Sequence, residues 1–594
     1  MPYKRYVVIC NADKCKQKKS NEIYEFINKE LIAQGLKEEV QVVKCGCFGF
    51  CSEGPIVKIL PDETIYCHVK PEDAKDIVQT HLLKNQVLKN LVYDNSQSRK
   101  NIGFKYDNYR KQLRIVLRNC GVIDPENIYD YIARDGYKAL EKALFELKPD
   151  NIIEELKISG LRGRGGAGYP TWKKWQITKE TASDIKYVVC NADEGDPGAY
   201  MDRSTIEGDP HSIIEAMAIC GYTVGASYGY IYIRAEYPLA IKRLEIAINQ
   251  ARELGLLGKN ILGSGFDFDI ELRYGAGAYV CGEETALIAS IEGNRGMPKP
   301  RPPFPSTKGL WGKPTVINNV ETWANVPVIL TRGGKWFASI GTDTSKGTKV
   351  FALTGKVNNS GLVEVPMGTT LRELVFDIGG GIKGGKKFKA VQTGGPSGGV
   401  IPEEYLDTPI GYENLQQLGA IMGSGGLIVM DEDDCMVDIS KFYLQFAVDE
   451  SCGKCAPCRI GGKQLLEMLN KISQGKGDIE DIDNMKRICF AMQKASLCGL
   501  GQNTPNPVLS TLKYFEEEYI EHIKDKKCKA GKCRDLVTFT IDPTKCVGCG
   551  LCAIKCPVNC ISGEKQKPYT IDQSKCIKCG TCYEVCKFGA VIRK

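Results

Sequence analysis

The chain has 594 residues, 43% hydrophobic and 25% charged. That excludes a largely disordered or fibrous protein and leads to an expectation of roughly four domains at about 150 residues each. Lys and Arg exceed Asp and Glu by only 79 − 72 = 7, too dilute an excess to imply nucleic acid. No apolar run approaches the roughly 18 residues a membrane span needs. The N-terminus MPYKRYVVICNADKCKQKKS lacks a signal-peptide apolar core, so a cytoplasmic protein is expected. The anomaly is 27 cysteines against 4 histidines. In a reducing compartment, cysteines at short spacing mean metal or redox chemistry rather than cross-links.

Residues 1–85 read as a small α/β unit. RYVVIC is a strand and SNEIYEFINKELIAQGL a helix with an apolar stripe. VQVVKC is a strand running into a glycine-rich loop, PIVKIL and TIYCHV form a hairpin, and KPEDAKDIVQTHLLK is a closing helix. The unit carries Cys10 and Cys15 (C-x4-C) with Cys47 and Cys51. Two separated pairs suit either a [2Fe–2S] rhomb or a zinc ion. Residues 86–115 are polar and aperiodic, like a linker. A larger α/β body follows over 116–346, with strands KYVVCNAD and YGYIYIRA and the helix PLAIKRLEIAINQARELG.

In that body GLRGRGGAGYPTWKKW contains a formal G-x-G-x-x-G at Gly163, Gly165 and Gly168. A dinucleotide fingerprint needs a strand just before it. Here the helix-like EELKI precedes and a strand follows, so that reading fails. What survives is a glycine-dense loop whose N–H groups can approach a phosphate or a ring, with Arg164 and Lys174 nearby. Residues 347–432 read as β-rich and 433–525 as helical. Cys452, Cys455 and Cys458, with Cys498 further on, can hold one cube, a structural zinc being the alternative.

Residues 526–594 hold the strongest signal. Cys546, Cys549, Cys552 and Cys556 form C-x2-C-x2-C-x3-C-P, repeated by Cys576, Cys579, Cys582 and Cys586 with Lys587 in place of Pro. This is bacterial ferredoxin spacing, in which the fourth cysteine serves the other cluster. One [4Fe–4S] is therefore expected on Cys546, Cys549, Cys552 and Cys586, and a second on Cys576, Cys579, Cys582 and Cys556. Zinc ribbons use separated knuckles, not a continuous run. His522, Cys528, Cys533 and Cys560 fit none of these clusters. One histidine and three cysteines make a tetrahedral zinc set that would staple the arm to the helical region; the alternatives are a solvated linker with incidental thiols and a fifth iron–sulfur site. Cys67, Cys120, Cys190, Cys220, Cys281, Cys435 and Cys489 read as buried thiols, and Cys45, two residues before Cys47, as a non-ligand.

The segments GRGGAGYPTWKKW, CNADEGDPGAYMDR, YGAGAYVCGEETALIASIEG, RPPFPSTKGLWGKPTVINNVET and SCGKCAPCR…SLCGLG together resemble the NADH-oxidising FMN flavoprotein subunit of respiratory complex I and its relatives in NAD-linked hydrogenases and formate dehydrogenases. The N-terminal block resembles the thioredoxin-like [2Fe–2S] module of that family. Fusion of both to a C-terminal two-cluster ferredoxin most resembles the beta subunit of multisubunit, often electron-bifurcating, [FeFe]-hydrogenases.

The resemblance implies a multidomain α/β and α+β chain: a thioredoxin-like domain, a modified Rossmann-like FMN domain, a β-grasp domain over 347–432, a helical bundle and the ferredoxin domain. It implies FMN held by Gly163, Arg164, Gly165, Lys174, Asn191, Asp193, Glu194, Tyr279, Gly282, Glu283, Asn318, Asn319 and Thr322. It implies a dinucleotide met by Gly166, Ala167, Tyr169, Asp196, Glu284, Arg301 and Phe304, with NAD(H) preferred because Glu283 and Glu284 would repel a 2′-phosphate. No side chain need act as acid or base. The expected cofactors are FMN, NAD, one [2Fe–2S], three [4Fe–4S] and zinc. The implied partners are a catalytic hydrogenase subunit, a small [2Fe–2S] subunit and ferredoxin. The same module in a formate dehydrogenase or a ferredoxin:NAD(P) transhydrogenase, or as a non-catalytic electron wire, is the competing reading.

Overall fold

A computed structural model describes residues 3–93 and 112–593, so most of the predicted linker, 94–111, lies outside the described residues. Two compact units divide the chain: residues 1–386 with 391–429, and residues 387–390 with 430–594.

The first unit opens with β1 (Arg5–Cys10), β2 (Val40–Cys45), β3 (Val57–Leu60) and β4 (Thr64–Tyr66), in the order β2-β1-β3-β4. β1 and β2 are parallel, from Arg5↔Val40 to Cys10↔Cys45, so a crossover is required. The helix Ser20–Ala33 supplies it, burying Ile23, Ile27 and Leu31 at helical spacing. The two-residue period of β1 then separates two cores. Val7 and Ile9 face that helix, whereas Val8 and Cys10 face a cluster containing Cys15, Cys45, Cys47 and Cys51. The predicted closing helix is helical over Asp73–Asp76 and continues as a π-helix over Ile77–Leu82. The chain from 88 does not run free as its polar composition suggests, because Leu88, Leu91 and Val92 pack on the same core.

The body is a parallel sheet of β5 (Tyr187–Ala192), β6 (Tyr228–Arg234), β7 (Asp269–Gly275) and β8 (Thr315–Asn319), ordered β7-β6-β5-β8. The helix Pro210–Val224, apolar almost all round, is buried along nearly its whole length. Strand order reverses between β5 and β8, and in open parallel sheets ligands bind beyond the carboxyl ends of the strands at that switch point.

β9 (Thr348–Gly355), β10 (Gly361–Pro366), β11 (Phe388–Thr393), β12 (Gly399–Pro402) and β13 (Gly426–Asp431) form a mixed sheet ordered β10-β9-β13-β11-β12. Glu364 on β10 is fully buried, which demands partners for its carboxylate. It accepts from the N–H groups of Ile115, Val116 and Leu117, each at 2.9 Å, and from the Thr348 hydroxyl at 2.6 Å. The N-terminal sheet domain is seated closely on the body. A Cβ added to Gly46 would stand 2.4 Å from Gly208 Cα, and Arg114 Nη2 donates to Phe48 O at 2.8 Å.

In the second unit the helices Met436–Asp449, Gly462–Ser473, Ile479–Ala495 and Asn506–Tyr514 enclose Leu444, Leu465, Leu469, Met485, Met492 and Val508. The cysteine-dense end follows. β14 (Phe539–Ile541) pairs with β17 (Val591–Arg593), and β15 (Ile561–Ser562) with β16 (Thr570–Ile571), both antiparallel. Two short helices, Leu551–Ile554 and Thr581–Val585, each follow a left-handed glycine, Gly550 and Gly580.

Candidate functional site

Asn191 and Asn319 are register partners at the carboxyl ends of β5 and β8. Their amides organise the loops around them. Asn191 Nδ2 donates to Gly282 O at 2.9 Å and its Oδ1 accepts from Asp193 N at 3.1 Å. Asn319 Nδ2 donates to Asp202 Oδ2 at 2.6 Å, while its Oδ1 caps the helix Val320–Arg332 through Glu321 N. The loop after β5 is stapled by Glu194, whose carboxylate accepts from Asp202 N and Arg203 N at 3.0 and 3.2 Å. Burial raises the pKa of Glu194. Burial likewise raises Asp196, against hydrogen bonds from Ser424 and Tyr279 that lower it.

The glycine loop lies between the helices Pro149–Ser159 and Thr171–Glu180, as its flanking sequence predicts. Gly166 takes φ +121° and bridges to Gly423; a Cβ at Gly166 would stand 3.3 Å from Gly423 Cα. Arg164 is buried in this loop. Its guanidinium donates to Thr348 O, Lys346 O and Arg162 O at 3.1, 2.6 and 2.9 Å and to Tyr412 Oη at 3.3 Å. Its backbone N–H donates to Thr322 Oγ1 at 2.8 Å.

Lys174 Nζ lies 3.0 Å from Glu284 Oε2 and 3.2 Å from Ile317 O, at the edge of β8. Arg301 reaches the other Glu284 oxygen at 2.7 Å. Burial opposes ionisation of Glu284, but Lys174 and Arg301 outweigh it and hold the carboxyl below its usual range. Glu283 is the N-cap of the helix Glu284–Ile291, accepting from Thr285 N and Ala286 N at 3.0 Å. Tyr169 and Phe304 are exposed, with Arg301 over the Phe304 ring at 6.0 Å.

The sulfur sets are equally distinct. Cys10, Cys15, Cys47 and Cys51 are all buried, with 3.8 Å between the sulfurs of Cys47 and Cys51. Tyr200 Oη approaches Cys51 Sγ at 3.9 Å. Cys45 points elsewhere, its thiol donating to Ile9 O at 3.3 Å. Cys458 is raised by burial and by its neighbours Cys455, Cys498 and Cys452, against a hydrogen bond with Ser451. In the ferredoxin-like end, one cavity is lined by Cys546, Cys549, Cys552 and Cys586. A second is lined by Cys556, Cys576, Cys579 and Cys582, together with Cys560.

A further set is fully buried: Cys435, His522, Cys528 and Cys533, with ligand atoms all within 4.8 Å of one another. Cys435 Sγ is 3.4 Å from His522 Nε2 and 3.9 Å from Cys533 Sγ. His522 Nδ1 lies 2.6 Å from Glu518 O, a bond that orients the ring with Nε2 toward the sulfurs. Burial alone would lower His522, yet Cys435 and Cys528 carry its pKa up to about 10.

Residues 156–328 match the Nuo51 FMN-binding domain and 438–522 the NADH-ubiquinone oxidoreductase-F iron-sulfur binding region. Residues 2–82 match the thioredoxin-like [2Fe-2S] ferredoxin, 350–401 the SLBB domain and 517–590 the 4Fe-4S dicluster domain. The NADP-reducing hydrogenase subunit HndC of Solidesulfovibrio fructosivorans is 62% identical over 485 residues, 82% of this chain and 99% of that one. The chain belongs to the NADH-binding flavoprotein subunits of hydrogenases and complex I. The F 2 component of the NADH-quinone oxidoreductase of Rhizobium meliloti is 46% identical, across 70% of this chain and 98% of that one. The crystal structure of an NAD+-reducing [NiFe]-hydrogenase in the H2-reduced state aligns with TM-score 0.62 at 28% identity, covering 88% of this chain and 85% of that one.

For a flavoprotein of this kind the switch-point loops fit FMN. They bring Lys174, a glycine loop and the carboxyl ends of β5 and β8 together, with the supporting side chains already fixed. The cysteine pockets fit iron–sulfur clusters by softness and number. Two sequence expectations, on the Arg164 side chain and on Cys560, are corrected, and Thr322 and Glu283 take structural roles as well. Arg164 does not cradle the flavin with its side chain, because carbonyls of residues 162, 346 and 348 take its donors. Thr322 is fully buried and its hydroxyl accepts from the Arg164 N–H, which holds the loop. Glu283 is a helix cap, with Oε2 accepting from Thr285 N and Ala286 N. Cys560 is not a zinc ligand: it lines the second ferredoxin cavity, 3.5 Å from Cys556 Sγ. Cys435, read from the sequence as a buried thiol, takes the fourth place, and at 87 positions from His522 no local spacing could mark it.

Proposed function

We propose that this chain is the diaphorase and electron-transfer subunit of an NAD-linked hydrogenase complex, exchanging hydride with NAD(H) and single electrons with iron–sulfur clusters. The observation that carries the reading is the union in one chain of a glycine loop at a sheet switch point with four four-cysteine sets. Bound FMN would convert between a two-electron hydride and one-electron carriers. The chain's own residues bind and position. Lys174 stands where a phosphate would be met, Asn191 and Asn319 fix the loop walls, and the exposed Tyr169 and Phe304 offer faces for the adenine. Anaerobically purified protein should hold one FMN, one [2Fe–2S] and three [4Fe–4S], hence about 14 iron atoms, and reduce an artificial acceptor with NADH. Flavin-free protein, inactive after FMN is supplied, would refute the reading.

NAD(H) is preferred over NADP(H) on the strength of Glu284, the carboxylate left after Glu283 is assigned to its helix. The name of the relative HndC, an NADP-reducing hydrogenase component, favours the opposite preference, and the Arg301 guanidinium beside Glu284 is the group that would meet a 2′-phosphate. Steady-state assays with both nucleotides decide between them. The partners are a catalytic hydrogenase subunit, a small [2Fe–2S] subunit and ferredoxin, in the cytoplasm, with bifurcation of electrons between NAD(H) and ferredoxin. Among the described residues no helix is long and apolar enough to cross a membrane. Co-purification identifies the terminal enzyme: a formate dehydrogenase in place of a hydrogenase would replace this reading with its competitor.

Cys435, His522, Cys528 and Cys533 hold one Zn²⁺. Three sulfurs and one imidazole, all buried, match a closed structural site. Metal analysis should find one zinc per chain, lost in Cys435→Ser and retained in Cys560→Ser.

A further inference from the structure

The two halves of the ferredoxin-like repeat provide an internal control. In each, the backbone N–H four residues after the last cysteine donates to that cysteine's sulfur. Cys560 N donates to Cys556 Sγ at 3.4 Å, and Ala590 N to Cys586 Sγ at 3.3 Å. The scaffold is thus repeated at this point, and one side chain differs. Ala590 lines the first cavity with a methyl group. Cys560 lines the second with a thiol whose sulfur lies 3.5 Å from Cys556 Sγ. Cys560 is buried in the apolar core of the domain, beside Phe539 and Ile561, where water cannot compete for its hydrogen bond.

We propose that Cys560 binds no iron but donates its S–H to the Cys556 thiolate, and so sets the reduction potential of the second [4Fe–4S] cluster above that of the first. The proposal rests on reading the two cavities as cluster sites. The iron ligand is assigned to Cys556 by the repeat itself: Cys586 occupies the same place in the other half, where Ala590 offers no alternative sulfur. A reduced cluster carries one more negative charge than an oxidised one, spread over its sulfurs. A hydrogen bond to a ligand sulfur therefore stabilises the reduced form more than the oxidised form, and the potential rises. Both halves have this backbone donor; in the second, Lys578 N also donates to Cys576 Sγ at 3.4 Å and Thr581 Oγ1 lies 3.4 Å from Cys579 Sγ, and the Cys560 thiol adds to these in the same direction. An electron shared by the pair rests preferentially on the cluster of Cys556, Cys576, Cys579 and Cys582.

The test uses the full chain and EPR-monitored redox titration. Cys560→Ala makes the halves alike at this position. Its iron content should match the parent, and one cluster's midpoint should fall by about a tenfold change in electron partition, about 59 mV for a one-electron couple. Cys560→Ser, which keeps a donor, should fall less, and Ala590→Cys should raise the midpoint of the other cluster. Unchanged midpoints with full iron in Cys560→Ala would overturn the proposal. So would a loss of about four iron atoms, which would make Cys560 a ligand. Should Cys560→Ala fail to fold, Ala590→Cys still decides, and an unmoved midpoint there refutes the mechanism. A parent protein lacking one of the two clusters would instead refute the reading of the cavities.

Discussion

Around the switch point of the parallel sheet, several polar side chains are engaged by hydrogen bonds within the chain. Asn191, Asn319, Glu194 and Arg164 all bond to backbone or to neighbouring side chains, so the chain's own hydrogen bonds hold the loops. In the cysteine-dense end the cavities are lined by sulfur and hydrocarbon, and the short strands and helices there enclose little else. One region is preorganised by its own hydrogen bonds and the other is organised by what it holds. Substitutions near the flavin should therefore act through the scaffold, and substitutions at cysteine through metal content.

Arg164→Ala tests the scaffold most severely. It strands three carbonyls and a hydroxyl around a buried void, and we expect a loss on the order of 3–5 kcal/mol in the stability of the flavin body. The urea midpoint and the FMN content should fall together. Arg164→Lys should recover little, since one ammonium cannot span the fork. An unchanged midpoint in Arg164→Ala would show that the loop is organised by ligand after all. Gly46→Ala comes next, at about 1–3 kcal/mol, because its methyl would meet the Gly208 backbone. Limited proteolysis should release the N-terminal domain faster while the iron of its cluster is kept. Glu284→Gln should narrow the preference between the two nucleotides about tenfold, roughly 1.4 kcal/mol, with melting little changed; an unaltered ratio of kcat/KM values would remove Glu284 from recognition. Glu283→Ala is the mildest, about 1 kcal/mol for a lost cap, read in the melting temperature with the NADH-to-NADPH ratio unchanged.

What is legible in the sequence follows the same divide. Cysteine runs are local, so their spacing announces the crossed ferredoxin sets, and the cavities are lined accordingly. The strands of the N-terminal unit and β5 and β6 of the parallel sheet are legible from apolar and β-branched runs, because burial on both faces leaves little room for other residues; β7, DIELRYG, is buried at only two positions and carries no such run. The role of Arg164 is not legible, because two of the carbonyls that take its guanidinium lie more than 180 residues away. Cys435 escapes for the same reason. Glu283 is recognisable in principle: an acidic residue directly before an apolar helical run is an N-cap signal.

The pairing of Asn191 with Asn319 across β5 and β8 has a consequence for how this site can change. Both residues owe their direction to the same ladder of backbone hydrogen bonds. A slip of one residue in that ladder would turn one amide to the opposite face and leave the other without its partner. The two positions therefore behave as a single inherited unit. A neutral drift in either strand is constrained by its partner's alignment, and a new ligand would more readily be accommodated by changing the loops than by shifting the strands that end in these amides.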